Sequence, residues 1–172
     1  MNASLNGAAL VAQAEIDSPL GVLTAVATER GLAGLWFDAQ KHHPGALDAP
    51  VNAAHRHIAA ARAWLDAYWA RRSTDIIALT LALDPQGTPF QRAVWQALLK
   101  IKPGRTSTYG EIASKAGKPE AARAAGAAIG RNPIGIIVPC HRVIGRDGSL
   151  TGYAGGLERK EALLKLEGVL LA

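Results

Sequence analysis

Cys140 is the only cysteine of the chain, and it stands in Pro139-Cys140-His141-Arg142-Val143 with an imidazole and a guanidinium directly after it. A cysteine attacks as its thiolate, and a nearby histidine or arginine lowers the thiol pKa towards that form. Adjacent side chains usually diverge, so a thiol–imidazole relay between 140 and 141 needs a turn at this point or a bridging water. The imidazole in turn needs a third group to orient it. The acidic residues of the last predicted helix, Glu158, Glu161 and Glu167, are the candidates. A lone cysteine is more often a small buried residue, so reactivity has to be argued from its company.

The single cysteine excludes an internal disulfide and a cysteine-rich zinc centre. His42, His43, His55 and His57 sit at no ligand spacing with carboxylates and read as surface or hydrogen-bonded histidines. No metal and no cofactor is expected. A free thiol suits a reducing compartment. Residues 1–12 carry no Lys or Arg, unlike the start of a secretory signal, and no apolar run approaches the roughly 20 residues that cross a bilayer. The expected location is the cytoplasm, with no membrane contact.

The elements that must position the cysteine follow from periodicity and breakers. With 172 residues, 49% apolar and 19% charged, the chain has material for one good-sized or two small packed domains. Alternation in Leu20–Ala27 and the run Gly31–Phe37 predict two strands joined by a turn near Glu29–Gly31. Ile58, Ala61, Trp64, Leu65, Tyr68 and Trp69 recur at helical spacing and predict a long helix over 53–72. The apolar stretch Ile76–Leu83 predicts a buried strand. A linker at Leu83–Pro89 places the boundary between a domain of residues 1–86 and one of 87–172. Thr88-Pro89, a cap and a first-turn proline, opens a helix over 90–100. Further helices are predicted over 106–116, 119–130 and 157–167, the last ending at Gly168. Residues 145–156 hold five glycines in twelve positions and form a loop. The fold class is α+β: a small sheet with a helix, then a mainly helical domain.

Charge divides along the same line. From Phe90 onward thirteen Lys/Arg face six Asp/Glu, whereas residues 1–89 carry six against eight. A basic half of this kind suits an anionic partner or a solvated surface. Residues 108–129 have helix-turn-helix form, with small Ala113 at the crossing and Gly117 at the turn. In such a motif the second helix enters a DNA groove. Here that helix is almost entirely Ala and Gly, with Arg123 its one long side chain before Arg131. It offers too few polar side chains to read a sequence, but a smooth surface for close, sequence-independent approach. An αα-hairpin packed in a core is the alternative.

Pro139-Cys-His-Arg-Val143 is similar to the active-site signature of the methylated-DNA–protein-cysteine methyltransferases, the 6-O-alkylguanine-DNA alkyltransferases. The resemblance runs from Thr88 to Gly168 through Thr-Pro-Phe-Gln91, Tyr109, Ala-Ala-Arg-Ala124, Asn132-Pro133 and Gly152-Tyr-Ala-Gly-Gly-Leu157. Ser18-Pro-Leu-Gly21 and Gly31–Phe37 also look like the family's first domain. It implies a ribonuclease H-like N-terminal domain and a winged-helix-like C-terminal one. It further implies that Cys140 accepts the alkyl group in a single-turnover reaction, that His141 takes the thiol proton through a water, and that Glu167 holds the imidazole. Asn132 would support the cysteine turn. Arg123 would fill the gap left by the extruded guanine. Tyr109 would crowd the target phosphate and protonate the leaving guanine. Ala122, Ala124, Gly126 and Ala127 would line the minor groove. Tyr153, Val143, Ala154, Gly155 and Gly156 would form the base pocket.

The implied partner is double-stranded DNA carrying 6-O-alkylguanine, bound through its minor groove without sequence specificity by a monomer; 4-O-methylthymine is a further candidate lesion. The chemistry is coherent: an alkyl carbon on a stacked base is reached only by flipping the base, and nothing in the motif would hydrolyse the thioether formed. Two departures stand out. Ala154 replaces the serine with which some members bind the guanine oxygen, and the lone cysteine excludes the structural zinc of others. The alternatives are a non-catalytic alkyltransferase-like lesion-binding protein, against which Cys140 itself speaks, a cysteine hydrolase, and a transcription regulator.

Overall fold

Three short segments of alternating or continuous apolar character pair into an antiparallel sheet, β1 (Ala12–Ile16), β2 (Leu23–Ala27) and β3 (Leu32–Phe37), in that order. The computed structural model describes residues 5–170 and divides into two compact units, 1–86 and 87–172. All six residues of β3 are buried, which is why its sequence reads as an unbroken apolar run. Both sheet edges are covered: Gln13 bridges to Val51 on one side and Leu32 to Leu83 on the other. Gly31 is required there, because a Cβ would stand 2.7 Å from the Ala82 carbonyl oxygen. Helix α1 (Arg56–Trp69) is capped by the His55 side chain and buries Ile58, Ala61, Trp64, Leu65 and Tyr68.

The expected strand over Ile76–Leu83 is not formed. Asp75–Ala78 make a single helical turn, α2, Leu79 is 85% exposed, and only Leu83 bridges to β3. β-Branched composition sets a weak preference, and here no neighbouring strand takes the segment up; the side chains of Ile76 and Ile77 lie outside the described ones. Strand β1 was not expected, since Ala-Gln-Ala-Glu-Ile alternates with side chains too small to stand out.

In the second unit, α3 (Pro89–Leu99) starts on a reciprocal capping box between Thr88 and Gln91 and buries Val94, Trp95, Ala97 and Leu98. Trp95 Nε1 donates to the Ala128 carbonyl at 2.8 Å, tying α3 to α5 (Ala122–Gly130). The helix expected from 106 begins only at Tyr109: α4 (Tyr109–Lys115) is capped by a Thr108–Glu111 box. The helix expected from 119 likewise begins at Ala122. Residues Ser107–Thr108 are instead a short strand, β4, paired in parallel with β5 (Val143–Ile144). Gly117, at φ 88, makes the tight turn after α4. The last helix, α6 (Leu157–Leu166), is followed by Gly168 at φ 78. Among the described residues no helix is long and apolar enough to cross a membrane.

Candidate active site

The parallel pairing of β4 with β5 decides what meets what. Ser107 lies opposite Val143 and Thr108 opposite Ile144, so Tyr109 at the start of α4 is held beside the segment that follows Cys140. Cys140 opens a 3-10 turn, Cys140–Arg142, and is 7% exposed. The chain reaches it through a strained bend: Ile136 is fully buried at φ 68, an unusual backbone state for a β-branched residue. Asn132 holds this bend with both ends of its amide. Its Nδ2 donates to the Val138 carbonyl at 2.8 Å, and its Oδ1 accepts from Ile134 N–H at 3.0 Å. Asn132→Ala would leave the buried Ile134 N–H unpaired, while the Val138 carbonyl keeps the Cys140 N–H at 2.8 Å, and is expected to destabilise the fold by about 1–3 kcal/mol. Urea unfolding measures this, and an unchanged midpoint would contradict it.

Beneath the turn lies a buried triplet. His141 Nε2 meets Glu167 Oε1 at 2.7 Å, and Arg142 grips the same carboxylate from Nε at 2.9 Å and Nη2 at 2.8 Å. Arg142 Nη1 also donates to the Ile101 carbonyl. Burial would raise the Glu167 carboxyl, but the hydrogen bonds from His141 and Arg142 outweigh it and bring it down to about 2. An ionised carboxylate only accepts, so the imidazole proton must sit on Nε2. Burial lowers the His141 pKa against the pull of Glu167, so the ring is neutral at physiological pH. Its Nδ1, with a free lone pair, is buried and has no hydrogen-bond partner among the described residues. Of the three expected orienting acids, Glu167 is the one in contact; Glu158 is exposed and Glu161 pairs with Lys165 at 2.9 Å. The hydrogen bonds of the Arg142 guanidinium go to the Glu167 carboxylate and the Ile101 carbonyl.

Burial pushes the Cys140 thiol up, while the Asn132 side chain and the Lys160 ammonium pull it back. Lys160 is fully buried, yet every direction of its ammonium is used: it donates to the carbonyls of Val143 at 2.5 Å, Thr151 at 2.7 Å and Gly152 at 3.2 Å. Burial lowers it to about 8. It thereby fastens the glycine-rich loop to β5 and sets a positive charge near the thiol. Tyr153 faces the His141 ring edge-on at 6.5 Å between centroids, and burial raises its hydroxyl pKa well above the usual phenol, leaving it a neutral donor. Ala154 is half-buried and Gly155 buried, while Gly156, at φ 94, turns the chain into α6. The phenol of Tyr109 reaches the same loop at Thr151.

The exposed face of α5 is made of Ala122, Arg123, Ala124 and Ala127, with Gly126 half-buried against the Tyr109 ring. The structure thus brings Cys140, His141, Glu167, Asn132, Tyr153 and Val143 into one neighbourhood, and places Arg123 on the adjoining helix-turn-helix.

The family model described as "6-O-methylguanine DNA methyltransferase, DNA binding domain" matches residues 89–169. The methylated-DNA–protein-cysteine methyltransferase of Mycolicibacterium paratuberculosis is 47% identical over 152 residues, covering 88% of this chain and 89% of the relative. That of Methanosarcina acetivorans is also 47% identical, over 88% and 95% of the two chains. The chain belongs to the methylated-DNA–protein-cysteine methyltransferase family. A solved structure of Mycobacterium tuberculosis OGT in complex with DNA superposes with a TM-score of 0.79, at 44% identity, over 91% of this chain and 92% of that one.

Two residues of this methyltransferase site escaped the sequence reading. Lys160 had a signal: with Leu163, Leu164 and Glu167 it forms an i, i+3, i+4, i+7 stripe along α6 and the residue after it, so two charges occupy core-facing positions. Thr151 had none, because its relation to Tyr109 depends on β4 pairing with β5.

Proposed function

We propose that this chain repairs alkylated DNA by direct reversal, moving the alkyl group of 6-O-alkylguanine in duplex DNA onto Sγ of its own Cys140. The observation that carries the proposal is the open Nδ1 of a buried, neutral His141 whose tautomer Glu167 fixes beside a buried thiol. His141 Nδ1 takes the thiol proton through a water. The thiolate attacks the alkyl carbon in line, an S–C bond forms as the O–C bond breaks, and the electron pair leaves on guanine, which Tyr109 protonates. Tyr109 recovers a proton from solvent. The thioether has no hydrolytic partner, so each molecule reacts once.

Residues 87–172 are the DNA-binding and alkyl-acceptor domain, winged-helix-like in its helix-turn-helix with the β4–β5 pairing. Residues 1–86 form an accompanying ribonuclease H-like domain. The small-residue face of α5 suits a minor groove entered without sequence selection, and Arg123 occupies the space of the flipped base. Val143, Tyr153, Ala154, Gly155 and Gly156 wall the base pocket. The protein acts as a monomer in the cytoplasm. A non-catalytic lesion binder is disfavoured by the presence of Cys140. The test is stoichiometric: duplex 6-O-methylguanine should revert to guanine with one lesion lost per protein molecule and none with Cys140→Ala. Continued turnover in excess lesion, or reversal by Cys140→Ala, would overturn the reading.

A further inference from the structure

Tyr109 and Thr151 lie 42 positions apart, yet their side chains meet. Tyr109 Oη stands 3.0 Å from Thr151 Oγ1 and 3.3 Å from the Thr151 carbonyl oxygen. A phenol has one hydrogen. Since the carbonyl can only accept, both contacts are satisfied together only when the phenol's hydrogen goes to the carbonyl and the threonine hydroxyl donates its own to the phenolic oxygen. The bond to the carbonyl is the long one, and that carbonyl is already held by Lys160 at 2.7 Å. It is therefore the bond given up at least cost when another acceptor arrives. The bond from Thr151 Oγ1 survives that exchange, and it strengthens as negative charge grows on the phenolic oxygen.

We infer that Thr151 is a positioning residue for alkyl transfer: its hydroxyl donates to Tyr109 Oη, aims the phenolic hydrogen at the base pocket and supports the phenol as it gives up its proton. Lys160 makes the placement rigid, because the loop that carries Thr151 is anchored at residues 151 and 152 to the same ammonium that binds Val143. The Tyr109 ring is backed by Gly126, so it has little freedom to follow a displaced partner. The inference rests on the proposed reaction, in which Tyr109 is the proton donor to the leaving guanine.

The test is single-turnover methyl transfer from a duplex containing 6-O-methylguanine, run with the parent chain, Thr151→Val, Thr151→Ser, Tyr109→Phe and the Thr151→Val/Tyr109→Phe pair. Thr151 is exposed, so these variants should fold, and thermal midpoints check that they do. One hydrogen bond of this kind predicts a three- to tenfold slower transfer for Thr151→Val. Thr151→Ser, which keeps the hydroxyl, should stay within about twofold of the parent. In the Tyr109→Phe background the Val substitution should cost nothing more, because no phenolic oxygen is left to receive the bond. An unchanged rate for Thr151→Val, an equal loss for Thr151→Ser, or losses that multiply in the pair would each overturn the role of Thr151 while leaving the reaction standing. No transfer by the parent chain would overturn the proposed reaction and this inference with it.

Discussion

Glu167→Gln is expected to slow alkyl transfer by two orders of magnitude or more and to destabilise the fold by about 3 kcal/mol. The rate effect follows from the tautomer. A carboxylate obliges the imidazole to carry its proton on Nε2, whereas a glutamine amide can donate to that atom and move the proton to Nδ1. The base would then face the thiol with its proton already in place. The stability effect follows from Arg142, which is almost fully buried and would lose its counter-charge.

The same group sets an acid limb. Glu167 falls from an ordinary 4.5 to about 2 in the folded chain. A depressed carboxyl contributes stability that is whole above its unfolded pKa and is lost as pH falls through the folded one. The difference between parent and Glu167→Gln should accordingly persist at pH 6 and shrink between pH 4.5 and 2, amounting to roughly 3 kcal/mol. Urea unfolding at several pH values measures this. A variant equal to the parent at pH 6, or a gap that widens on acidification, would contradict it.

Arg123→Ala is expected to cut the transfer rate on duplex lesions about 100-fold while leaving reaction with the free alkylated base within about twofold of the parent. Extruding a base costs a few kcal/mol, and a side chain that takes its place offsets part of that cost only when there is a duplex to enter. Arg123 is exposed on α5 whereas Cys140 and His141 are buried, so its loss should leave the thiol chemistry intact. Comparing the two substrates in single-turnover assays separates these contributions. Equal losses on duplex and free base would show that Arg123 acts on the chemistry and not on base extrusion.

The features that were legible in the sequence are those written in neighbouring residues. Thr88-Pro89 announced the start of α3, and Gly168 the end of α6, because caps depend on residue types a few positions apart. Cys140 with His141 announced nucleophilic chemistry, and the Ala/Gly stretch around Arg123 announced an unusual second helix. What escaped depends on partners distant in the chain. The strands β4 and β5 are two residues long, too short for any periodicity, yet their pairing brings Tyr109 to the loop after Cys140. Ile76–Leu83 has a strand's composition, but Leu79 faces solvent and the segment only covers the edge of β3 at Leu83. Arg142 looked like a thiol activator by adjacency. The 3-10 turn sends it instead to the carboxylate of Glu167, 25 positions away.

In the proposed reaction Cys140 itself receives the alkyl group. Intact-protein mass spectrometry after incubation with a duplex containing 6-O-methylguanine tests it most directly. A gain of one methyl mass per molecule is expected, mapped to Cys140 and absent from Cys140→Ala. An unchanged mass while the lesion duplex stays bound, or a methyl group mapped to any other residue, would contradict it.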